Sequence, residues 1–325
     1  MTQNSRIDET IHAFACMYEK RLGTVQVQKK NLGADDRCQY EIVSPLLRGK
    51  GNYPCVLSQG KITEHVMVLT HGLSDSPYYM SAIGRHFFET GINVVFPLLY
   101  GHGMNNPHQE MQSWDLCEKW QWDIDESIEI ASMLGNRISL GGLSTGGALS
   151  LNGVLRHPSK ITGGLFLFAA ALDIGFLYEN IGRLPLIQTY YRLTQEKVVG
   201  SGPNPYKYPV FSNYSGLQLA RLIQENKHLL KSNRISQPVF AAHSVQDSGT
   251  LVSGVIELLD QYVDNGVAYL ISKKIDNEFL AHADLVLEHP IELTDEGNHE
   301  VSAPKANPLF KNMMDAAIHF FQTEC

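Results

Sequence analysis

A serine between two glycines, with a strand pattern before it and a helix pattern after it, constrains this chain more than any other feature. Residues 137–140 are β-prone, and the small and apolar residues 145–155 are typical of a buried helix. Between them lies Gly142-x-Ser144-x-Gly146. A serine at the tip of a sharp strand-to-helix turn needs such glycines, because a Cβ at either position would collide with the adjacent strand or helix. The pattern therefore predicts an exposed hydroxyl beside the positive end of a helix, although the pentapeptide alone also occurs in flexible turns.

The rest of the chain supplies the sheet that such a turn requires. Continuous apolar runs bounded by turn residues are typical of strands that are buried on both faces of a parallel sheet. They alternate with helical patterns at spacings that predict right-handed crossovers. The runs cover residues 65–70, 92–98, 137–140, 162–171, 238–243 and 267–271, and residues 38–43 and 55–59 form two earlier strands. The sequence therefore predicts an α/β fold with a mostly parallel central sheet flanked by helices.

One region breaks this alternation. Residues 173–237 lack strand signals and contain two helical patterns, around 177–195 and 215–231. The region is also rich in aromatic residues, namely Phe176, Tyr178, Tyr190, Tyr191, Tyr206, Tyr208, Phe211 and Tyr214. We interpret it as a small helical cap insertion above the carboxyl ends of the strands. Its aromatic side chains either line an apolar pocket for an acyl or alcohol group or form the insertion's own core.

This break predicts the domain organisation. The predicted units are an N-terminal helical extension (1–36), a first part of the α/β core (37–172), the insertion (173–237) and a second part of the core (238–325). The extension carries an apolar stripe at helical spacing from Ile7 to Leu22, which predicts one helix packed on the main domain.

Composition limits the classes of function. The 325 residues are 43% hydrophobic and 18% charged, as in a soluble globular protein. The net charge of −8 and the lack of a dense basic run argue against nucleic-acid binding. The five cysteines are scattered, which favours a reducing compartment, and neither a signal-peptide pattern nor an apolar run long enough for a bilayer is visible. We therefore expect a cytoplasmic protein without stable membrane insertion; the sequence does not indicate its oligomeric state.

An acid and a base follow the serine in the expected order. Asp247 lies just beyond the strand at 238–243, where its carboxylate can orient a histidine or simply cap a turn. His282 lies past the strand at 267–271, where an imidazole can bridge Ser144 and Asp247. The order Ser144, Asp247, His282 is the one that follows a nucleophilic serine on such a sheet. These three residues are the predicted catalytic residues.

The other histidines are weaker candidates for the base. His243 ends a buried strand and is predicted to belong to the core, while His71 and His102 are predicted to hold loop backbones. His289 and His299 lie in a loop rich in Pro, Glu and Asn, and His299 is kept as a reserve candidate. Near His71, either Asp75 or Ser76 is predicted to cap a helix that begins at Pro77.

Together these residues resemble the α/β-hydrolase superfamily. More narrowly, the chain is similar to bacterial carboxylesterases and to the monoacylglycerol lipase/lysophospholipase group over about residues 55–321. The marks of the resemblance are His71-Gly72-Leu73, Pro97-x-x-x-Gly101-His102-Gly103, the Ser144 turn, Asp247 and His282. The chain departs from the pattern at Ala281, where relatives often have Ser or Gly, and in the long acidic stretch 288–307.

The resemblance implies a serine hydrolase that cleaves carboxylic esters through an acyl-enzyme intermediate. It places the oxyanion hole at the backbone N–H groups of Leu73 and Thr145. It implies no cofactor and no metal, and a small acyl ester or lipid as substrate: a short- or medium-chain ester, a monoacylglycerol or a lysophospholipid. The same fold also serves thioesterases, acyltransferases and some peptidases, and a non-catalytic binding protein is a further alternative.

Overall fold

The strands in the described part of the chain form one mixed sheet. The structure is a computed structural model that describes residues 3–33, 35–175, 185–194, 197–272, 274, 279–294 and 302–325. Its strands are β1 (Gln26–Asn31), β2 (Cys38–Val43), β3 (Cys55–Ser58), β4 (Thr63–Thr70), β5 (Asn93–Phe96), β6 (Gly135–Leu143), β7 (Leu165–Phe168), β8 (Val239–Ser244) and β9 (Gly266–Ile271). The order of the strands in the sheet is β1-β2-β3-β5-β4-β6-β7-β8-β9.

Helices follow most of these strands. They are α1 (Gln3–Leu22), α2 (Tyr78–Phe88), α3 (His108–Met111), α4 (Leu116–Ser132), α5 (Thr145–Arg156), α6 (Pro185–Thr194), α7 (Asn213–Leu230), α8 (Val252–Gln261) and α9 (Phe310–Glu324), with a 3₁₀ turn at Ala283–Val286. One core layer of buried side chains packs α1, α4, α5, α7 and α8 on the sheet, and the other packs α2 and α9 on the opposite face. Among the described residues, no helix combines the length and the apolar character that crossing a bilayer requires.

The parallel part of the sheet matches the prediction. β5, β4, β6, β7, β8 and β9 pair in parallel, whereas β1, β2 and β3 pair antiparallel at one edge. β7 and β8 are buried along their whole length, as strands covered by helices on both faces should be. The predicted fold class, a mostly parallel sheet flanked by helices, is therefore confirmed.

The sequence prediction missed β1. Its residues, Gln26–Asn31, are all exposed, and the segment contains a single aliphatic side chain, Val27. It pairs antiparallel with β2 at the edge of the sheet. Hydrophobic alternation could not reveal this strand because neither face of it is buried, and its two lysines are the kind of edge residue that discourages pairing with another chain.

The two helical patterns of the predicted insertion lie in different places. α7 packs against α5 and α4 in the helical layer beside the sheet, and its side chains Leu222 and Ile223 are buried there. α6 packs against α7. Residues 176–184, including Phe176 and Tyr178, lie outside the described part of the chain. The boundaries 1–36, 37–172, 173–237 and 238–325 stay a prediction, but α7 belongs to the layer that covers the sheet because its apolar face is buried against α5.

Candidate active site

Ser144 occupies a strained turn between β6 and α5. Its backbone has a φ of 52° and a ψ of −115°, in the left-handed half of conformational space that few non-glycine residues adopt. The flanking glycines explain how the turn is tolerated. A Cβ added to Gly142 would lie 2.5 Å from the carbonyl oxygen of Thr70, and one added to Gly146 would lie 2.1 Å from the same oxygen. Both glycines are therefore required by close backbone contacts, and they let Ser144 sit directly at the N-terminus of α5.

Asp247 and His282 are brought into direct contact. Nδ1 of His282 donates to Oδ2 of Asp247 at 2.6 Å, while Oδ1 of Asp247 accepts from the backbone N–H groups of Gly249 at 2.7 Å and Thr250 at 3.2 Å. Because an ionised carboxylate only accepts hydrogen bonds, this contact places a proton on Nδ1 and leaves Nε2 to act as the base. A Cβ at Gly249 would lie 3.0 Å from Cγ of His282, so a larger residue at this position would crowd the imidazole ring.

The surroundings of Asp247 favour its ionised form. Burial by itself raises the pKa of this carboxyl group. The hydrogen bond and the charge of His282, together with the Gly249 N–H, outweigh burial and hold the pKa of Asp247 below its ordinary value. The carboxylate is thus ready to orient His282 and to stabilise an imidazolium.

A short chain of hydrogen bonds joins the loop of Asp247 to the turn of Ser144. The hydroxyl of Thr250 donates to the carbonyl of Ala169 at 3.3 Å, just beyond β7. Two residues later, the N–H of Ala171 donates to the carbonyl of Ser144 at 3.0 Å. Since β6, β7 and β8 are parallel neighbours, their carboxyl ends lie at one edge of the sheet. The three predicted catalytic residues thus share this edge, two of them in direct contact.

The two predicted oxyanion donors lie on the segments that flank Ser144. Thr145 is the first residue of α5. Leu73 lies in the loop after β4, in which Asp75 N–H donates to the Gly72 carbonyl at 3.2 Å. A Cβ at Gly72 would lie 3.3 Å from Cβ of Ser144, so this loop passes directly against the candidate nucleophile. Because Leu73 is one of the two predicted donors, we call residues Gly72, Leu73, Ser74 and Asp75 the oxyanion loop.

His71 anchors the start of the oxyanion loop. Its Nδ1 donates to the carbonyl of Gly72 at 2.9 Å, and its Nε2 accepts from the N–H of Leu99 at 3.2 Å. Burial lowers the pKa of His71 to about 4, so the ring is neutral and can make both contacts. His102 packs against it with ring centroids 4.8 Å apart. Both side chains hold loop backbones in place, as the sequence predicts.

The expected helix cap is absent, and Asp75 has another role. Within the described residues no side chain caps α2, and Pro77 precedes the helix instead. The hydroxyl of Ser76 donates to the carbonyl of Gly51 at 3.1 Å. The buried carboxylate of Asp75 pairs with Nζ of Lys207 at 2.8 Å. The prediction of a cap was wrong because the sequence gives no sign of a partner 132 residues away.

A cavity of about 620 Å³ opens beside His282. Its lining is mixed: Tyr79, Tyr208, Phe279 and Leu280 contribute aromatic and aliphatic surface, and Asn204, Lys207, Asp284 and Lys305 contribute polar groups. Of the aromatic residues in the predicted insertion, Tyr208 thus lines a pocket, whereas Tyr190 and Phe211 are exposed on the surface. Burial raises the pKa of Asp284, which lies on the 3₁₀ turn just after His282.

The remaining histidine candidates are placed as follows. His243 is buried in β8, with Nε2 3.7 Å from Oδ2 of Asp247, and burial lowers its pKa. His289 is exposed. The reserve candidate His299 lies outside the described residues. Within the described ranges, no three His, Cys, Asp or Glu side chains are grouped as ligands for a metal ion.

Comparisons with known proteins identify the family and the fold. The family model described as "Serine aminopeptidase, S33" matches residues 61–237, more than half of the chain. No curated protein matches. One similar solved structure comes from a study of LipS and LipT, two metagenome-derived lipolytic enzymes; it is 16% identical with a TM-score of 0.63, and the match covers 84% of this chain and 98% of that chain. A monoacylglycerol lipase from Paleococcus ferrophilus is 18% identical with a TM-score of 0.56, over 80% of this chain and 95% of that chain. A thioesterase domain from the curacin biosynthetic pathway is 13% identical with a TM-score of 0.53, over 81% of this chain and 96% of that chain. At these identities the likeness shows the fold alone.

Proposed function

Since the chain belongs to the serine aminopeptidase S33 family and has the α/β-hydrolase fold, we propose that it hydrolyses carboxylic esters with Ser144 as nucleophile, His282 as base and Asp247 as the group that orients the base. The observation that carries the proposal is the 2.6 Å hydrogen bond from His282 to Asp247 at the sheet edge that also bears the Ser144 turn. Neither a metal nor an organic cofactor takes part in this chemistry.

The proposed reaction has two steps. In the first, Nε2 of His282 accepts the hydroxyl proton as Oγ of Ser144 attacks the ester carbonyl, and Asp247 stabilises the imidazolium that forms. The alcohol leaves after taking the proton from His282. In the second, water activated by His282 releases the acid from the acyl-serine. The N–H groups of Leu73 and Thr145 bind the oxyanion in both steps, and loss of one such donor typically costs about 10²–10³ in rate.

The cavity beside His282 supports an ester with an apolar acyl chain as substrate. The charged groups in the described part of its lining are Lys207, Lys305 and Asp284. Because Lys207 is paired with buried Asp75, two ammonium groups face two carboxylates, and charge does not select the substrate. The aromatic and aliphatic part of the lining suits an acyl chain, so that a short- or medium-chain ester, a monoacylglycerol or a lysophospholipid is the proposed substrate class.

The nucleophile is tested with chromogenic acyl esters of increasing chain length, on the parent protein and Ser144→Ala. We expect turnover to fall by about 10⁶-fold in the variant if the three residues act as a unit. Ser132→Ala, at an exposed position at the end of α4, is the matched control and should leave turnover unchanged. Substantial turnover in Ser144→Ala would contradict the assignment.

The thioesterase domain among the similar structures makes thioester hydrolysis the second candidate. The same serine chemistry acts on both ester types, so the fold does not separate them. Rates on matched oxyester and thioester substrates, each with water and with an added alcohol as acceptor, distinguish hydrolysis of either type from acyl transfer. A larger kcat/KM for the thioester would move the proposal to a thioesterase.

A further inference from the structure

The oxyanion loop depends on a segment that lies far from it in sequence. Residues 203–208, which we call the brace, follow α6 and precede α7. Four of its residues contact the loop or the helix that follows it. Lys207 pairs with Asp75 at 2.8 Å, the N–H of Tyr208 donates to the carbonyl of Ser74 at 2.8 Å, and Nδ2 of Asn204 donates to the hydroxyl of Tyr79 at 3.0 Å. A stacked contact between Tyr206 and Tyr78, with ring centroids 3.6 Å apart, adds to these.

The loop that the brace contacts is strained. Ser74 has a φ of 66°, in the left-handed region that favours glycine. Such a conformation is unfavourable for a residue other than glycine and persists only where surrounding contacts enforce it. The hydrogen bond from Tyr208 holds the carbonyl of Ser74, and the ion pair from Lys207 holds the adjacent Asp75. The brace therefore fixes the backbone on the carboxyl side of Leu73, and His71 fixes it on the amino side.

The carboxylate of Asp75 connects the brace to the reacting atoms. A Cβ added to Gly72 would lie 2.4 Å from Oδ2 of Asp75 and 3.3 Å from Cβ of Ser144, so Gly72 is packed between the two side chains. Oδ1 of the same carboxylate accepts from Lys207. A shift of Asp75 would therefore be transmitted within one residue to the peptide that presents the N–H of Leu73.

We infer that Lys207 is a positioning residue for the oxyanion hole, acting through Asp75 on the backbone of the oxyanion loop. The inference rests on the proposed function, because it assumes that the N–H of Leu73 binds an oxyanion. It assigns a catalytic consequence to the brace, which reaches the site from between α6 and α7 and also lines the cavity beside His282. Because displacement of a catalytic group by about 1 Å can cost about 10²-fold in rate, the ion pair should matter to turnover more than to substrate binding.

The test compares Lys207→Met with Lys119→Met. Lys119 is a close match: it pairs with Asp115 at 3.0 Å, its side chain is 33% exposed against 34% for Lys207, and each ammonium group lies over a tyrosine ring. On a chromogenic ester, Lys207→Met should lower kcat by about 10²-fold with KM nearly unchanged. Lys119→Met should keep both values, and Lys207→Arg should restore most of the turnover.

A second readout addresses the oxyanion directly. A trifluoromethyl ketone binds covalently when Oγ of Ser144 adds to its carbonyl carbon, with the hydroxyl proton passing to His282 and the new oxyanion entering the hole. Its inhibition constant should rise in Lys207→Met in parallel with the fall in kcat/KM. Asp75→Asn, which keeps the size of the side chain and removes its charge, should behave like Lys207→Met and serves if that variant does not fold.

Two outcomes overturn the inference. One is a Lys207→Met enzyme that turns over as fast as Lys119→Met. The other is a loss that lies in KM, with the affinity for the ketone unchanged, because it would make Lys207 a substrate-binding residue. Parent turnover that survives in Ser144→Ala is a different result, since it refutes the proposed nucleophile and not the role of Lys207 alone.

Discussion

Two buried carboxylates near the site are each neutralised by one cation from a distant segment, but their surroundings differ. Asp123 of α4 accepts two hydrogen bonds from Arg21 of α1, at 3.0 and 3.1 Å, and the two side chains are only 1% and 13% exposed. Asp75 accepts one from Lys207, whose side chain is 34% exposed beside the cavity. The first pair is enclosed by protein, whereas water can reach the second.

The enclosed pair supports the loop that follows β5. Oδ2 of Asp123 accepts from the N–H of Tyr100 at 2.6 Å, Arg21 donates to the carbonyl of Leu98, and the hydroxyl of Tyr18 accepts from the N–H of Leu98 at 3.1 Å. The N–H of Leu99, in the same loop, binds His71. Helix α1 and the brace therefore act on the oxyanion loop from opposite sides. We therefore expect the Arg21–Asp123 pair to serve chiefly the framework and the Lys207–Asp75 pair to serve chiefly turnover.

The largest expected effect on stability follows from Arg21→Met. Removal of one partner of a buried ion pair costs about 3–5 kcal/mol, because the other charge is left without compensation. Burial already raises the pKa of Asp123 to about 6 with Arg21 beside it, so without Arg21 the carboxyl group should take up a proton more readily. The free energy of unfolding, measured in urea, should therefore fall more at pH 8 than at pH 5.5.

Arg234→Met is the control for this prediction. Arg234 pairs with Asp264 at 2.6 Å, but both side chains are more than half exposed, so its loss should cost less than about 1 kcal/mol. Equal costs at Arg21 and Arg234 would show that the Arg21–Asp123 pair is hydrated, and would remove the contrast between this enclosed pair and the pair of Lys207, which borders the cavity.

A second prediction concerns His71, which contacts both the oxyanion loop and the loop after β5 that the Arg21–Asp123 pair supports. The pKa of its buried ring is depressed from 6.5 to about 4, so the folded state resists a proton that the unfolded chain accepts. This difference has no effect on stability well above pH 6.5, and it destabilises the folded state increasingly as the pH falls from 6.5 towards 4; a shift of this size corresponds to a loss of about 3 kcal/mol. His102, Asp75 and Arg21 are the titratable or charged groups that act on the ring, and the pKa of His102 is also lowered.

Urea unfolding between pH 7.5 and 4 measures this dependence. His71→Gln should be less stable than the parent at pH 7.5, but it should lose less stability on acidification because the titrating ring is gone. His319→Gln, at an exposed position on α9, should keep the pH dependence of the parent. If His71→Gln lost as much stability on acidification as the parent, the neutral ring of His71 would not be the source of this pH dependence.

Much of this site could be predicted from the sequence, because its parts have local signatures. Buried parallel strands are visible as continuous apolar runs, and Ser144, Asp247 and His282 each follow such a run in the expected order. The contact between Asp247 and His282 spans 35 residues, but the topology of the sheet brings their loops together. The positions of the strands therefore indicated that these two predicted catalytic residues lie close together; their roles stay a prediction.

The supports of the oxyanion loop could not be predicted in this way. The pairs Arg21–Asp123 and Lys207–Asp75 join residues 102 and 132 positions apart, and neither cation belongs to a recognisable motif. Asp75 stands before Ser76 and Pro77, which is a local signal for a helix cap, and the tertiary contact with Lys207 prevails over it. Strand β1 was not predicted for a different reason: an exposed edge strand has no buried face, so its hydrophobic pattern does not reveal it.

The last prediction completes the contrast: Lys207→Met should lower the free energy of unfolding by about 1–3 kcal/mol, less than Arg21→Met, because only one end of this pair is buried. Asp75 itself is buried, but the ammonium group of Lys207 borders a cavity of about 620 Å³, and water in that space can take its place beside the carboxylate. Urea unfolding of Lys207→Met and Arg21→Met at pH 8, with kcat measured on the same samples, gives both quantities for each variant. We expect Arg21→Met to lose mainly stability and Lys207→Met to lose mainly turnover. A loss of stability in Lys207→Met as large as in Arg21→Met would show that the brace holds the fold as a whole, and that the accessible pair differs from the enclosed one in position but not in role.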